Sequence, residues 1–201
     1  MCFIIRFHGL KLIILEDVYI PSEDTFQILE CVESYLKSTR YMVEYALDMG
    51  CGCGVLGLYI ALKCRRIRLV DLVDIDPRAI QNAILNAFIN GLRGKCRFYL
   101  SNLFEKIPMD VRYDLIVFNP PYLEPLGYLN HTVEGGPYLV KDFLEKAVYY
   151  MSDRGVIIVL IPKENLNFIR KELADVFKVE ILRESQFFEE ELVCLKIYRV
   201  S

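Results

Sequence analysis

Asn119-Pro120-Pro121-Tyr122, directly after the apolar run Leu115-Ile116-Val117-Phe118, gather the side chains of this chain best suited to chemistry. An Asn amide offers one acceptor oxygen and two donor hydrogens at a fixed point, and a Tyr offers a flat face. Leu115 to Phe118 reads as a short, buried parallel strand ended by prolines. Two consecutive prolines cannot continue the ladder, since each lacks an N–H and holds φ near about −65°. They also keep the preceding residue extended. A stiff loop at the carboxyl end of a strand is where open α/β sheets bind ligands. The four residues therefore predict a pocket for a planar amide or amidine-like group, such as a glutamine side chain or an adenine edge. Alone, Asn-Pro-Pro is equally a turn that stops a strand.

A second group of candidates is the glycine run. A strand predicted over Glu44–Met49 carries Asp48 at its end and leads into Gly50-Cys51-Gly52-Cys53-Gly54-Val55-Leu56-Gly57, which opens a helix through Lys63. Glycines here allow a tight turn and let a ligand approach backbone N–H groups at a helix N-terminus. Gly52, Gly54 and Gly57 satisfy the dinucleotide-binding G-x-G-x-x-G pattern, and Asp74 lies 20 residues past Gly54, as a ribose-binding acid should. An S-adenosylmethionine site has similar glycine spacing, and Asp48 would then reach the amino group of the methionine part. Arg68–Asp74 is the second strand, with Asp74 placed to accept from both ribose hydroxyls. Asp76 and Pro77 read as N-cap and first residue of a helix whose apolar face is Ile80, Ala83, Ile84, Ala87 and Phe88. After a third strand, Cys96–Leu100, Asn102 and Leu103 fall where the loop would pass an adenine ring.

The remaining elements must position these loops. Phe3–Phe7 and Leu10–Leu15 flank His8-Gly9 as a β-hairpin that covers a pocket or an edge. Val18 to Thr25 leads into a helix ending near Lys37, with Ser22 and acidic residues in the first turn as its N-terminus; for Glu23, Asp24 and Thr25 simple capping and a further role are equally open from the local sequence. Leu123–Gly136 has no clear period and reads as a substrate loop or lid. A helix over Pro137–Met151, a strand over Gly155–Ile161 and a helix over Lys163–Phe177 follow. Lys178–Arg183 and Leu192–Val200 read as a closing antiparallel pair joined by an acidic loop. One domain over residues 1–201 is expected, with residues 1–16 as a hairpin extension.

Composition narrows the classes. Hydrophobic residues make up 54% of the chain, which suits a thick buried sheet, and a net charge of −3 argues against unaided binding of long nucleic acid. Seven cysteines without a C-x-x-C pair, and only His8 and His131 beside them, argue against a metal site and for packing roles. No apolar run reaches the ~18–20 residues of a membrane span, and the first residues are too short for a signal peptide, so cytoplasm is the expected location.

Alternating strands and helices, glycines after the first main strand and an acid after the second predict a doubly wound α/β sheet. Five parallel strands plus a C-terminal antiparallel pair is the plan of the class I, Rossmann-like methyltransferases. A nicotinamide enzyme is the alternative, but its one catalytic candidate, Tyr59 with Lys63, lies on the glycine-loop helix itself. The whole chain resembles the HemK/PrmC-like release-factor glutamine methyltransferases, in particular their short archaeal–eukaryotic branch. Three stretches carry the resemblance: Val18-Tyr19-Ile20-Pro21-Ser22-Glu23-Asp24-Thr25, Leu47-Asp48-Met49-Gly50-Cys51-Gly52-Cys53-Gly54, and Asn119-Pro120-Pro121-Tyr122.

The resemblance implies S-adenosyl-L-methionine contacts by Thr25, Asp48, Gly50, Asp74, Leu103 and Asn119, with Gly52 in the glycine turn and Asn102 near the adenine. Family members often carry Asp at the position of Asn102, whose amide oxygen can still accept from the adenine amino group. Catalysis would fall to Asn119 and the Pro120 carbonyl as acceptors, with Tyr122 packed on the substrate plane. The implied substrate is the glutamine of the Gly-Gly-Gln motif in a class-1 translation termination factor. Adenine-N6 methylation of rRNA or tRNA, or lysine methylation of a protein, is the alternative. Glu134-Gly135-Gly136 resembles a Gly-Gly stretch after the family's catalytic loop but lacks the aromatic residue often found before it. Short relatives pair with a small zinc-binding activator protein. In a sheet ordered 3-2-1-4-5-7-6, that partner would add to the edge strand around Phe98.

Overall fold

The computed structural model describes residues 3–121, 137–174, 176–187 and 190–200. Strands β1 (Phe3–Phe7) and β2 (Leu10–Ile14) form the expected N-terminal hairpin, with His8 and Gly9 both at positive φ in the turn. The main sheet holds seven strands: β3 (Tyr45–Met49), β4 (Leu69–Asp74), β5 (Cys96–Leu100), β6 (Tyr113–Phe118), β7 (Met151–Pro162), β8 (Phe177–Phe187) and β9 (Glu190–Arg199). Their order across the sheet is β5-β4-β3-β6-β7-β9-β8. The first five pair in parallel and β9 runs antiparallel to both neighbours, which is the doubly wound plan expected from the sequence. The chain reverses its winding direction between β3 and β6, so the glycine loop and the Asn-Pro-Pro loop leave adjacent strands at the switch point.

Side chains of the central strands point alternately into two cores, as the two-residue pleat requires. Leu115 and Val117 of β6 join one core with Ala46, Leu72 and Ile158. That core is covered by α1 (Glu23–Ser38), α2 (Val55–Lys63), α3 (Pro77–Ile89) and the buried Leu10, Leu12 and Ile14 of the hairpin. Ile116 and Phe118 face the opposite core, where α4 (Pro137–Ala147) and α5 (Leu166–Leu173) cover Val159, Ile161 and Val193. Among the described residues no helix is long and apolar enough to cross a membrane.

Two element boundaries and one helix face differ from the sequence reading. Met151 begins β7 instead of ending a helix, because Tyr113 donates its N–H to the Tyr150 carbonyl at 2.7 Å and pairs with Met151. A register shift in β6 follows, and opposite it a Cβ on Gly155 would meet the Tyr113 carbonyl at 2.7 Å, so only glycine fits there. The helix expected over Lys163–Phe177 is a short turn followed by α5 over Leu166–Leu173, and Phe177 already belongs to β8. On α3, Ile80, Ala83 and Ala87 of the predicted face are buried, but Ile84 and Phe88 are 36% and 73% exposed and their place is taken by the wholly buried Asn82 and Asn86. Tyr122, the loop 123–136 and the Glu134-Gly135-Gly136 stretch lie outside the described residues.

Candidate active site

The glycine loop is shaped by backbone angles that side chains resist. Gly50, Gly52 and Gly54 have φ of 61°, 54° and 87°. A Cβ on Gly50 would press on the Phe118 ring at 3.2 Å, so this glycine lets the loop lie against the end of β6 beside Asn119. A Cβ on Gly52 would meet nothing within 4 Å, which leaves the outer side of the turn open for a ligand.

Asp74, at the end of β4, is already engaged with this loop. Its Oδ2 accepts from the Gly52 N–H at 2.8 Å and its Oδ1 from the Asp76 N–H at 2.9 Å. A carboxylate oxygen has two lone pairs, so each keeps capacity for a further donor. Burial pushes the Asp74 carboxyl up, against the lowering effect of the two backbone donors. Asp76 caps α3 as expected, accepting from the Arg78 N–H at 2.8 Å with Pro77 at the first helical position. On the next loop Leu103 is buried and holds a left-handed φ of 47°, a strained conformation for a non-glycine residue. Asn102 donates through Nδ2 to Glu105 at 3.3 Å, which turns its amide oxygen outward from that contact.

Asn119 is held from an unexpected direction. Its Nδ2 donates to Asp24 Oδ2 at 2.8 Å, across 95 residues of sequence. The other oxygen of Asp24 accepts from Ser22 Oγ at 2.6 Å, from the Tyr19 hydroxyl at 2.7 Å and from Thr25 Oγ1 at 3.3 Å. Burial alone would raise the Asp24 carboxyl, but hydrogen bonds from Ser22, Asn119, Tyr19 and the Thr25 backbone outweigh it and hold it below the usual carboxylate range. Burial also pushes the Tyr19 phenol up to about 12, so it stays a donor. An ionised carboxylate only accepts, so the amide of Asn119 must turn its NH₂ toward Asp24. Its Oδ1 then faces the other way, buried and without a partner among the described residues. Asp24 is thus the residue that sequence reading missed. Ser22 occupies the N-cap position of α1 but makes no side-chain cap bond, because its hydroxyl serves Asp24.

The family model for the methyltransferase small domain matches residues 31–189. This chain belongs to that family. A Methanocaldococcus jannaschii protein provisionally named a protein N5-glutamine methyltransferase is 31% identical over 98% of this chain and its own full length. A Fusobacterium nucleatum release factor glutamine methyltransferase is 31% identical over 85% of this chain, which spans only 51% of that protein. Among solved structures, the T. thermophilus 16S rRNA N2 G1207 methyltransferase, in complex with AdoMet and guanosine, superimposes with a TM-score of 0.76 at 19% identity. The match covers all of this chain and 50% of that one. An E. cuniculi Mtq2-Trm112 complex, responsible for methylation of the eRF1 translation termination factor, gives 0.67 at 19% identity over 92% of this chain and 99% of that one. At such identities the two structures bear on the fold alone, and they bear out the Rossmann-like methyltransferase sheet.

Inside this methyltransferase, Asp48 is the most constrained acid. It is 1% exposed, and its Oδ2 accepts from the Gly57 N–H at 2.7 Å, pinning the start of α2 to the end of β3. Gly57 is needed for this, since a Cβ there would stand 3.0 Å from the same oxygen. Oδ1 has no partner among the described residues, and burial pushes the carboxyl up to about 7. The folded protein therefore binds a proton at Asp48 between about pH 4 and 7 that the unfolded chain has released. Its contribution to stability is present at low pH and is lost as pH rises through 7, with a slope of at most about 1.4 kcal/mol per pH unit. Urea midpoints of the ligand-free protein should accordingly decline from pH 5 to 7 relative to Asp48→Asn, which cannot titrate. Parallel curves for the two proteins would mean that Asp48 is ionised throughout.

Proposed function

We propose that this methyltransferase transfers a methyl group from S-adenosylmethionine to the side-chain nitrogen of the glutamine in the Gly-Gly-Gln motif of a class-1 translation termination factor. The observation that carries the reading is the Asn119 amide at the sheet's switch point, fixed by Asp24 with its buried Oδ1 unpartnered among the described residues. A primary amide has two N–H groups to place, and an oriented amide oxygen is the acceptor one of them needs. The names of the relatives support the same substrate class.

The residues present fit the cofactor. Gly50 to Gly54 form a cradle open at Gly52, Asp74 keeps lone pairs for ribose hydroxyls, and Asp48 Oδ1 is a buried acceptor without a partner among the described residues. We assign Thr25, Asp48, Gly50, Gly52, Asp74, Asn102, Leu103 and Asn119 to its binding. When bound, S-adenosylmethionine supplies an electrophilic methyl on a sulfonium. The amide nitrogen it must reach is a poor nucleophile, because its lone pair is delocalised into the carbonyl. Asn119 Oδ1 and the Pro120 carbonyl accept the two N–H groups and aim the lone pair at the methyl. We assign the amide plane to the ring of Tyr122, which lies outside the described residues. Holding reacting atoms ~3–3.5 Å apart can supply several kcal/mol of the barrier. The two acceptors strengthen as positive charge grows on nitrogen. The N-methylated, protonated amide then loses its proton to water, so no strong base is required.

Strand β5 is the sheet edge, and its half-buried Phe98 lies under the Arg93 guanidinium at 5.1 Å. We assign this edge to a small activator protein that adds a strand, in line with the partnered E. cuniculi neighbour. A termination-factor substrate sets the reaction in the cytoplasm.

The decisive experiment incubates recombinant enzyme, with and without such an activator, with labelled S-adenosylmethionine and the termination factor. One methyl should enter the factor and none its Gln→Ala variant, while adenine-containing RNA stays unlabelled. Label in RNA adenine with an untouched factor would replace this reading with adenine-N6 methylation. For the cofactor, Asp74→Ala should weaken S-adenosylmethionine binding about ten- to a hundredfold, since hydrogen bonds to a charged acceptor are worth roughly 1.5–3 kcal/mol. Unchanged affinity by calorimetry would remove Asp74 from the site.

A further inference from the structure

Three asparagines recur every fourth residue along α3 and its C-cap, Asn82, Asn86 and Asn90, and each clasps the backbone of β2. Asn90 accepts from the Lys11 N–H at 2.9 Å and donates to the Lys11 carbonyl at 2.7 Å. Asn86 accepts from the Ile13 N–H at 2.8 Å and donates to the Ile13 carbonyl at 3.0 Å. Asn82 accepts from the Leu15 N–H at 2.9 Å and donates to the Ile13 carbonyl at 2.6 Å. The match has a geometric cause. Four residues of helix rise about 6 Å, close to the about 6.8 Å that two residues of strand advance. A column of amides on a helix can therefore stand in for a neighbouring strand along the free edge of the hairpin.

Asn86 does one thing the other two do not. Its Nδ2 also donates to the Cys53 carbonyl at 2.9 Å, inside the glycine loop. One turn earlier on α3, a Cβ built on Gly54 would already touch Ala83 at 3.1 Å, so the loop lies directly on this helix. Asn86 is wholly buried, and a single amide group thus bridges the hairpin, α3 and the loop.

We propose that Asn86 is a positioning residue for the cofactor loop, and that the N-terminal hairpin, docked through the asparagine column, is a working part of the cofactor site. The inference rests on the reading of Gly50–Gly54 as the cofactor cradle. The hairpin orients Asn86 by occupying its oxygen and one N–H. The remaining N–H can then only reach Cys53, which fixes the loop's backbone before a ligand arrives.

The test compares Asn86→Ala and Asn86→Asp with Asn90→Ala, which removes the outermost clasp on Lys11 and leaves the Ile13 clasp and the Cys53 bond in place. In the ligand-free proteins, hydrogen exchange at the Gly54 amide, which bonds the Cys51 carbonyl at 2.8 Å, should accelerate about tenfold in both Asn86 variants. It should stay within about twofold of wild type in Asn90→Ala. The Kd for S-adenosylmethionine should rise about tenfold in the Asn86 variants with kcat little changed, the signature of a loosened loop. Should both variants fail to fold, wild-type protein carries the test. Saturating S-adenosylmethionine should then slow exchange at the Ile13 amide, because coupling between two sites is reciprocal. Gly54 exchange in the Asn86 variants no faster than in Asn90→Ala would overturn the inference. Protection that stops at the loop and leaves Ile13 unchanged would do the same. Loss of the loop effect overturns this inference alone. A loop effect without any S-adenosylmethionine binding instead overturns the cofactor assignment.

Discussion

Asn119→Ala should lower methyl transfer by on the order of 10²–10³, comparable to loss of one preorganised partner in an oxyanion-type site. The larger share of the loss should fall on kcat, with a smaller loss of S-adenosylmethionine affinity from the cofactor contact also assigned to Asn119. Asn119 Oδ1 is buried without a partner among the described residues, and on the proposed reading its main hydrogen bond forms with substrate. An interaction strengthening toward the transition state shows in turnover. Asn119→Asp is the informative companion. A carboxylate there would meet Asp24, whose Oδ2 stands 2.8 Å from the present Nδ2, and two like charges at that distance cannot both ionise. That variant should be as inactive as Asn119→Ala near neutral pH although it is nearly isosteric. Near wild-type rates for Asn119→Ala with the termination factor would remove the residue from catalysis.

The sheet was readable in the sequence because β3, β4 and β6 are short, mostly apolar runs closed by glycine, an acid or proline, and helices alternate with them. The order of strands follows from winding rules once the glycine loop marks the first main strand. What failed was local and had a tertiary cause. The face of α3 was misread because Asn82 and Asn86 count as polar in any periodicity, yet they are buried against a strand whose backbone they satisfy. The four-residue spacing of three asparagines was the available signal. Asparagine is a poor helix former, and three in one row call for a partner. The bulge opposite Gly155 was hidden for a similar reason, since it depends on the pairing of β7 with β6. For the site, the loops around Gly50–Gly54, Asp74 and Asn119 could be located individually. The bond between Asp24 and Asn119 could not, because it joins a helix start to a strand end 95 residues apart. Locally, Ser22-Glu23-Asp24 has all the marks of a helix cap.

That bond sets the final expectation: Asp24→Ala should cut turnover by about 10²-fold, the scale of a displaced reacting group. On the proposed reading the carboxylate acts through Asn119 and not on the substrate itself. It decides which end of the Asn119 amide faces the pocket, so its removal leaves the amide free to present NH₂ where an acceptor is required. Tyr19, Ser22 and Thr25 lose their shared acceptor in the same step, which loosens the start of α1. A structural role alone would lower stability and spare kcat at temperatures well below unfolding. A positioning role predicts a pattern in the double mutant. Asp24→Ala combined with Asn119→Ala should be little worse than Asn119→Ala alone, because residues acting as one unit are strongly non-additive. The pH dependence separates the roles further. Hydrogen bonds hold the Asp24 carboxyl below the usual carboxylate range, so its stabilising charge is present above that range and lost only as pH falls through the folded value. Wild-type turnover should show no acid limb from Asp24 above about pH 4. Full activity of Asp24→Ala, or a double mutant whose defect equals the product of the two single ones, would separate Asp24 from Asn119 and return it to a helix cap.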